Sequence, residues 1–262
     1  MADRTWTLAS FNVNSIRARL SLLIEWLHQN RPEVLCLQET KTQDRDFPEE
    51  EIRQAGYQVV FRGEKSYNGV AIISVSQPQA VHFGLGGKDG DETRLIAATI
   101  DGVSVVNTYV PQGRDAESEH FQYKLKWFDR LLDFFKQNYS PREPLAWVGD
   151  LNVAPEPIDV YDPKRLLGHV DFHPEVHIKF RKLMEWGFVD VFRKHEPGPG
   201  QYSFYDYRVK GAQDRGMGWR VDHILATRTL ADRSLKAWID PAPRKAQKPS
   251  DHTPILARFK LD

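Results

Sequence analysis

Nine short runs rich in apolar and β-branched residues constrain this chain more than any other feature. They are "TWTLASFNV", "EVLCLQ", "YQVVFR", "GVAIISV", "TRLIAATID", "VSVVNTYV", "LAWVGD", "WRVDHILAT" and "PILARFK". Each is too short for an ordinary helix and reads as a strand. "ATIDGVSVVN" adds a hairpin turning at Asp101-Gly102, a dipeptide suited to positive φ at both turn positions. Two helical patterns are clear. "SIRARLSLLIEWLHQN" puts Ile16, Leu20, Leu23, Ile24 and Leu27 on one stripe, with Ser15 as its N-cap. "SEHFQYKLKWFDRLLDFFKQN" does the same with Phe121, Leu125, Phe128, Leu132 and Phe135. A weaker helix covers Pro174 to Trp186. So many strands in 262 residues predict two stacked sheets with helices outside. The loops near Gly84–Gly90 and Pro197–Gly200 do not resemble linkers, and "GLGGKDGD" lacks the Lys-Ser/Thr ending of a P-loop, so it reads as a turn. One unit spanning residues 1–262 is expected.

Composition closes off several functions. A single cysteine, Cys36, excludes a disulfide framework and a cysteine metal cluster, and in "PEVLCLQET" it reads as a small buried hydrophobe. The start "MADRTWTLAS" has no signal-peptide pattern, and no window approaches the ~20 apolar residues of a membrane span, so a cytoplasmic location (nucleoid-associated if bacterial) is expected. Lys plus Arg equal Asp plus Glu at 36 each. Attraction to nucleic acid would therefore need a local basic patch.

The strands finish in polar residues. "SFNVNS" ends in Asn12 and Asn14, and "LCLQET" in Glu39. "VVNTYVPQG" leaves Asn107 and Tyr109 on one face before Pro111. "VGDLNVAPEPID" leaves Asp150 and Asn152, which strand alternation would put on one side. Asp222 lies inside a strand-like run, and Asp251 and His252 precede the last strand. Such residues gather where loops open a cleft at one sheet edge. Singly, each reads as a turn former or a solvated side chain. Together, four carboxylates cannot share a small site ionised unless a cation neutralises them. Oxygen ligands favour Mg²⁺ or Mn²⁺ over zinc, and the set suits phosphoryl chemistry. His223 should point away from Asp222, with no catalytic part. His173 and His177 have a spacing that can suit zinc, but no third ligand matches it.

The segments "SFNVNSIRARL", "LCLQETK", "NTYVPQG", "VGDLNVAPEPIDV", "YSFYDYR", "GWRVDHILA" and "SDHTPI" resemble the exonuclease III / apurinic-apyrimidinic endonuclease family over nearly the whole chain. Their number, order and spacing make the resemblance specific. It implies a DNase I-like, four-layer α/β sandwich with two packed central sheets flanked by helices. It implies a Mg²⁺-dependent DNA repair phosphodiesterase working on double-stranded DNA with abasic sites or with 3′-blocked or recessed ends, as a monomer. Residue by residue, Glu39 looks like the principal metal ligand, with Asn14 nearby, Asp251 contributing, and Asp150 and Asn152 adjoining. Asp150 looks like the group that aligns or deprotonates the attacking water. Asn12 and Asn152 look like amides holding that carboxylate and a phosphate oxygen, and Tyr109 like a phosphate contact. Asp222 looks like the partner that orients His252, which either clamps phosphate as a cation or acts as a neutral base.

Around these lie basic residues: Arg17 and Arg19, Arg114 after Gln112, Arg208, Lys210, Arg215 and Arg220 among the aromatics of "YSFYDYRVKGAQDRGMGWR", and "RKAQK" before Asp251. Such local rims can bind phosphates at zero net charge. By resemblance, Phe204, Trp219 and Val221 line a pocket for a flipped abasic sugar. His169 is a departure, since many relatives carry Asn or a smaller residue in that stretch. It either fills the pocket, favouring 3′-end trimming, or is an idle loop residue. Two rival functions use the same residues: an inositol-phosphate or lipid-headgroup phosphatase, and a binding module without catalysis.

Overall fold

The computed structural model describes residues 4–86 and 91–261, so residues 87–90 of the expected "GLGGKDGD" turn and the first three residues lie outside it. Twelve strands form: β1 (Arg4–Asn12), β2 (Val34–Gln38), β3 (Gln58–Arg62), β4 (Val70–Ser74), β5 (Gln79–Phe83), β6 (Leu95–Ile100), β7 (Val103–Tyr109), β8 (Leu145–Asp150), β9 (Phe188–Asp190), β10 (Asp222–Thr227), β11 (Ser234–Ile239) and β12 (Ile255–Leu261). The helices are α1 (Ile16–Asn30), α2 (Glu49–Gln54), α3 (Glu119–Asn138), α4 (Pro163–Leu166), α5 (Pro174–Gly187), α6 (Val191–His195) and α7 (Arg228–Ala231). None of the described helices is long and apolar enough to cross a membrane.

The nine expected strands all form. β5, β9 and β11 were not legible, because each lies at a sheet edge. β5 is largely exposed and β9 has only three residues, so neither carries the apolar pattern of a buried strand. The strands make two six-stranded sheets, in the orders β11-β12-β1-β2-β4-β3 and β5-β6-β7-β8-β10-β9. β1 runs parallel to β2 and β7 parallel to β8, whereas β10 and β12 run antiparallel to β8 and β1. The β6–β7 hairpin turns at Asp101 (φ 51°) and Gly102 (φ 80°), as its sequence predicts.

The two sheets pack face to face over Trp6, Leu8, Val34, Cys36, Val105 and Val148. α1 and α2 cover one outer face through Leu23, Trp26 and Ile52. α3 and α5 cover the other through Trp127, Phe128, Phe135 and Phe180. This is the expected four-layer sandwich. Ser15 stands at the start of α1 but caps nothing with its side chain. Its N–H, and that of Ile16, instead donate to the carbonyls of Glu39 (2.8 Å) and Thr40 (3.1 Å). The helix start is thus tied to the loop after β2. Ser118 does cap α3.

Alternation along each strand carries the inter-sheet row into one end of the sandwich. The row reads Trp6, Leu8, Ser10, Asn12 on β1; Val34, Cys36, Gln38 on β2; Val105, Asn107, Tyr109 on β7; Ala146, Val148, Asp150 on β8; and Ala226, Ile224, Asp222 on β10. Every row turns polar at the same end, because parallel strands finish there and antiparallel β10 begins there. Just before the mouth, Asn107 Nδ2 donates to the carbonyls of Leu37 and Ala71 at 2.9 Å, and its Oδ1 accepts from Gln38 Nε2 at 2.7 Å. These bonds cross between the sheets and fix their alignment. Gly149, beside Asp150, has φ 136°, and a Cβ there would lie 1.9 Å from the Thr108 carbonyl oxygen.

Arg220 is corrected from a surface residue to a core one. It is wholly buried. Its guanidinium spans Asp159 (2.7 Å), Asp190 (2.8 Å) and His223 Nδ1 (3.0 Å). Arg193 also pairs with Asp159. Burial, then the neighbouring Arg220 cation, lowers the His223 pKa from 6.5 to about 4. The folded chain therefore holds this ring neutral where the unfolded chain charges it. Its contribution is complete above pH 6.5 and is lost as pH falls toward 4. The loss is roughly 3 kcal/mol at about 1.4 kcal/mol per pH unit. We predict that His223→Gln reduces this slope. Urea midpoints at pH 7 and pH 4 test it, and an equal fall in both proteins would refute it.

Candidate active site

The polar end of the sandwich opens into a cleft of about 530 Å³. Glu39, Tyr109, Asp150, Asn152, Asp251 and His252 line it, with Gln112, Arg114, His169, Phe204, Trp219 and Val221. Asn12, Asn14 and Asp222 stand behind that surface, bonded to its residues. Arg17 is not brought in. It lies exposed on α1, beside Leu20 and Arg45 at a separate depression. Its neighbour Arg19 is occupied by the carbonyls of Asn14 (2.7 Å) and Pro249 (3.0 Å).

Antiparallel pairing sets Asp150 directly opposite Asp222. Two adjacent buried carboxylates repel. The imidazole of His252 stands between them, with Nδ1 2.8 Å from Asp222 Oδ2 and Nε2 3.7 Å from Asp150 Oδ2. Burial alone would lower the ring's pKa. Asp222 first, and then Asp150, outweigh it and raise the value to about 10. His252 is therefore a cation near neutral pH. Burial pushes the Asp150 carboxyl up, with Asp222 and Glu39 adding to the rise and His252 opposing it.

Asn12 is the hinge between carboxylates. Its Nδ2 donates to Glu39 Oε1 at 2.7 Å and to Asp150 Oδ2 at 2.8 Å. Its Oδ1 accepts the Asn14 N–H at 3.0 Å. Asn14 in turn donates to Asp251 Oδ1 at 2.9 Å. Lys41, not singled out from sequence, reaches Glu39 Oε2 and Asn14 Oδ1, each at 2.6 Å. Burial would raise the Glu39 carboxyl, but Lys41, together with the bond from Asn12, holds it below its ordinary value. Burial, then Glu39 and Asp150, raises the Tyr109 phenol well above its ordinary range, so it stays a neutral donor.

Strand alternation is not what aims Asn152. β8 ends at Asp150, and Asn152 is left-handed (φ 47°), as are Asn14 (φ 43°) and Glu39 (φ 51°). Asparagine tolerates this region, whereas a glutamate held there is uncommon and marks a constrained site. Asn152 N–H donates to Asp150 Oδ1 at 3.0 Å, and its Nδ2 is held by the Val110 carbonyl at 2.8 Å. Asp222 begins β10 rather than lying within it. Ser203, also missed, joins the two sheets. Its Oγ accepts the Asp222 N–H at 3.2 Å, and its carbonyl accepts Thr253 N–H at 2.8 Å.

One wall is apolar. Trp219 and Val221 pack with Ala154, Val160 and Phe172, and Phe204 rests against them. Phe204 lies 4.8 Å from the His252 ring. His169 lies 4.8 Å from Trp219 between ring centres, and its Nδ1 accepts the Asp171 N–H at 3.2 Å. Arg114 is exposed, with its N–H on Gln112 Oε1 at 2.7 Å. His173 caps α5 and His177 contacts the Ala154 carbonyl at 2.9 Å. Neither joins a metal-binding group among the described residues.

Glu39, Asp150 and His252 have potential ligand atoms all within 4.8 Å of one another; because a cationic imidazole has no lone pair to give, the two carboxylates are the members of this group that could hold a metal ion. The oxygen donors suit a hard cation. Asp251 stands outside this trio and reaches it through Asn14. Paired carboxylates, the cations Arg114 and Arg208 at the cleft and one apolar wall suit phosphate-ester chemistry.

This geometry defines a phosphoryl-handling site on a two-sheet sandwich, and residues 9–252 match the Endonuclease/Exonuclease/phosphatase family. Exodeoxyribonuclease III of Haemophilus influenzae is 34% identical over 96% of this chain and 98% of its own. The AP endonuclease from Archaeoglobus fulgidus superposes with a TM-score of 0.96 at 52% identity, covering 98% of this chain and 100% of that one. The 3′ phosphatase NExo from Neisseria, bound to a product DNA hairpin, superposes at 0.93 with 35% identity and the same coverage. The chain belongs to the exonuclease III / AP endonuclease family.

Asp222→Asn removes the charge that holds His252 cationic. We predict that its imidazole, followed by NMR, then titrates roughly 1–3 pH units lower. An unchanged titration would show that Asp222 does not set its charge.

Proposed function

We propose that this chain is a metal-dependent DNA repair phosphodiesterase that hydrolyses the backbone of double-stranded DNA at abasic sites, trims 3′ ends, or both. The observation that carries the reading is the Asp222–His252–Asp150 array beside Glu39, facing a cleft with one apolar wall. The names of the relatives support it. Glu39 would hold Mg²⁺ or Mn²⁺, with Asn14, Asp150, Asn152 and Asp251 as neighbouring oxygen donors. When bound, the ion supplies positive charge to the phosphate oxygens. Cationic His252 clamps a nonbridging oxygen, and Tyr109 donates its phenol hydrogen to another. Asp150, anchored by Asn12 and the Asn152 N–H, aligns the attacking water and accepts its proton. Burial raises the carboxyl, which makes it the stronger base once ionised, and cationic His252 beside it favours the ionised form. Phe204, Trp219 and Val221 would receive the deoxyribose, and Gln112 and Arg114 the flanking phosphates. The enzyme would act as a monomer in the cytoplasm.

Cleavage of three end-labelled duplexes (abasic, 3′-phosphate and recessed 3′-hydroxyl), each with Mg²⁺ or EDTA, tests the reading. Cleavage should need the metal, and Asp150→Asn should slow it by ~10²–10⁴-fold, the usual cost of losing a general base. Turnover of inositol phosphate with none on any duplex would overturn it.

A second reading is favoured by His169. Its ring occupies the cleft against Trp219, where it narrows the space for an internal flipped sugar. The chain would then trim 3′ ends better than it incises abasic sites. His169→Gly should raise abasic incision relative to 3′ trimming by roughly tenfold, the effect of about 1.4 kcal/mol in the barrier. No change in that ratio would count against a steric role.

A further inference from the structure

Lys124 is a charged residue with no solvent exposure. It lies in α3 among Phe121, Leu125 and Trp127, where an amphipathic helix ordinarily places apolar side chains. Its ammonium meets four oxygens: the carbonyls of Gln112 (3.1 Å), Asn152 (2.6 Å) and Val170 (2.8 Å), and Asp171 Oδ1 (2.9 Å). An ammonium has three hydrogens, so this cage is fully used, with one hydrogen shared.

The four oxygens belong to three chain segments far apart in sequence. One follows β7, one follows β8 and one follows α4. Each segment carries cleft residues: Gln112 and Arg114, Asn152, and His169 with Asp171. The remaining oxygen of Asp171 accepts from Gln112 Nε2 at 3.3 Å. The same carboxylate therefore closes the bridge from the third segment back to the first. Asn152 and Arg114 are left-handed (φ 47° and 57°), conformations that need support from their surroundings. Backbone carbonyls of three loops converging without a cation would repel one another and leave buried acceptors unpaired.

We propose that Lys124 is a positioning residue for the active site, clamping the three loops that form one side of the cleft so that Asn152, which anchors Asp150, and Gln112 are held in register with the reacting phosphate. It touches no substrate. It acts from behind the wall through the loop carbonyls and Asp171. The catalytic part of this claim rests on the phosphodiesterase reading above, and the positioning part does not.

The test is Lys124→Met, which keeps the length of the side chain and removes every donor, beside Lys124→Arg, which keeps a cation. Hydrogen exchange reads the loops directly. In Lys124→Met, exchange in segments 111–114, 152–154 and 169–172 should quicken by about tenfold or more, while β1 and β2 stay as protected as in wild type. On a 3′-phosphate duplex with Mg²⁺, kcat should fall about 100-fold, the cost of misplacing a reacting group by roughly 1 Å, with KM changed by less than about threefold. Lys124→Arg should recover about tenfold or more of that loss. A purely structural lysine would lower the unfolding midpoint but leave loop exchange and kcat at wild-type values, and that outcome overturns the proposal. If Lys124→Met does not fold, Asp171→Asn takes its place. It should quicken exchange in 111–114 and 169–172, and unchanged exchange there is equally fatal. If the wild-type chain cleaves no duplex, the phosphodiesterase reading fails, while the exchange data still decide whether Lys124 clamps the loops.

Discussion

Everything at the mouth of this sandwich depends on keeping several carboxylates close together in a partly dry space. Asp150 and Asp222 face each other because β8 and β10 pair in that register. Glu39 stands one amide away through Asn12. Ionised carboxylates at this separation cost far more than ordinary surface charges. The chain offsets that cost with cations and donors of its own: the His252 imidazolium between the aspartates, Lys41 on Glu39, and Asn12 donating to both sides. These partners let the carboxylates stand together in the folded chain, and the cations among them lessen the repulsion that an incoming phosphate would meet.

Rigidity comes from outside the site. The left-handed Asn14, Glu39 and Asn152 place side chains where a continuing strand could not. Each is held by a separate device: the Asn14 N–H donates to Asn12 Oδ1, the start of α1 is tied to the Glu39 carbonyl, and Asn152 is tied to Val110 and Lys124. Ser250 Oγ donates to the Asn12 carbonyl at 2.7 Å and accepts the His252 N–H at 3.2 Å. The Asn107–Gln38 bonds between sheets stop one sheet sliding over the other, which would separate Asn12 and Glu39 from Asp150 and Asp222. Site residues contributed by two sheets need such a lock, because face-to-face apolar packing is not directional.

Much of this was legible in the sequence. Nine strands and both long helices follow from periodicity, and the polar strand ends mark one edge as the site. The edge strands β5, β9 and β11 were hidden, because an exposed or very short strand carries little apolar signal. Arg220 misled and Lys124 drew no notice, for a shared reason. A lone basic residue in a sequence reads as solvated, and only its partners far along the chain, Asp159 and Asp190 for one and Asp171 with three carbonyls for the other, allow it to be buried. Lys41 was not legible as the partner of Glu39, because both lie past the end of β2, where strand alternation no longer fixes direction. The left-handed backbone at both positions is what lets the two side chains meet.

By itself, the sequence determined the layered α/β architecture, the membership in a nuclease family and the residues at the mouth of the sandwich. Alternation and motif spacing are local properties, and they survive without coordinates. Tertiary structure decided which atoms meet. It set Asp222 against Asp150, made His252 a shared cation, left Arg17 outside the cleft and brought His169 against Trp219. Those outcomes depend on strand register, loop conformation and burial, which are set by contacts between residues tens to hundreds of positions apart.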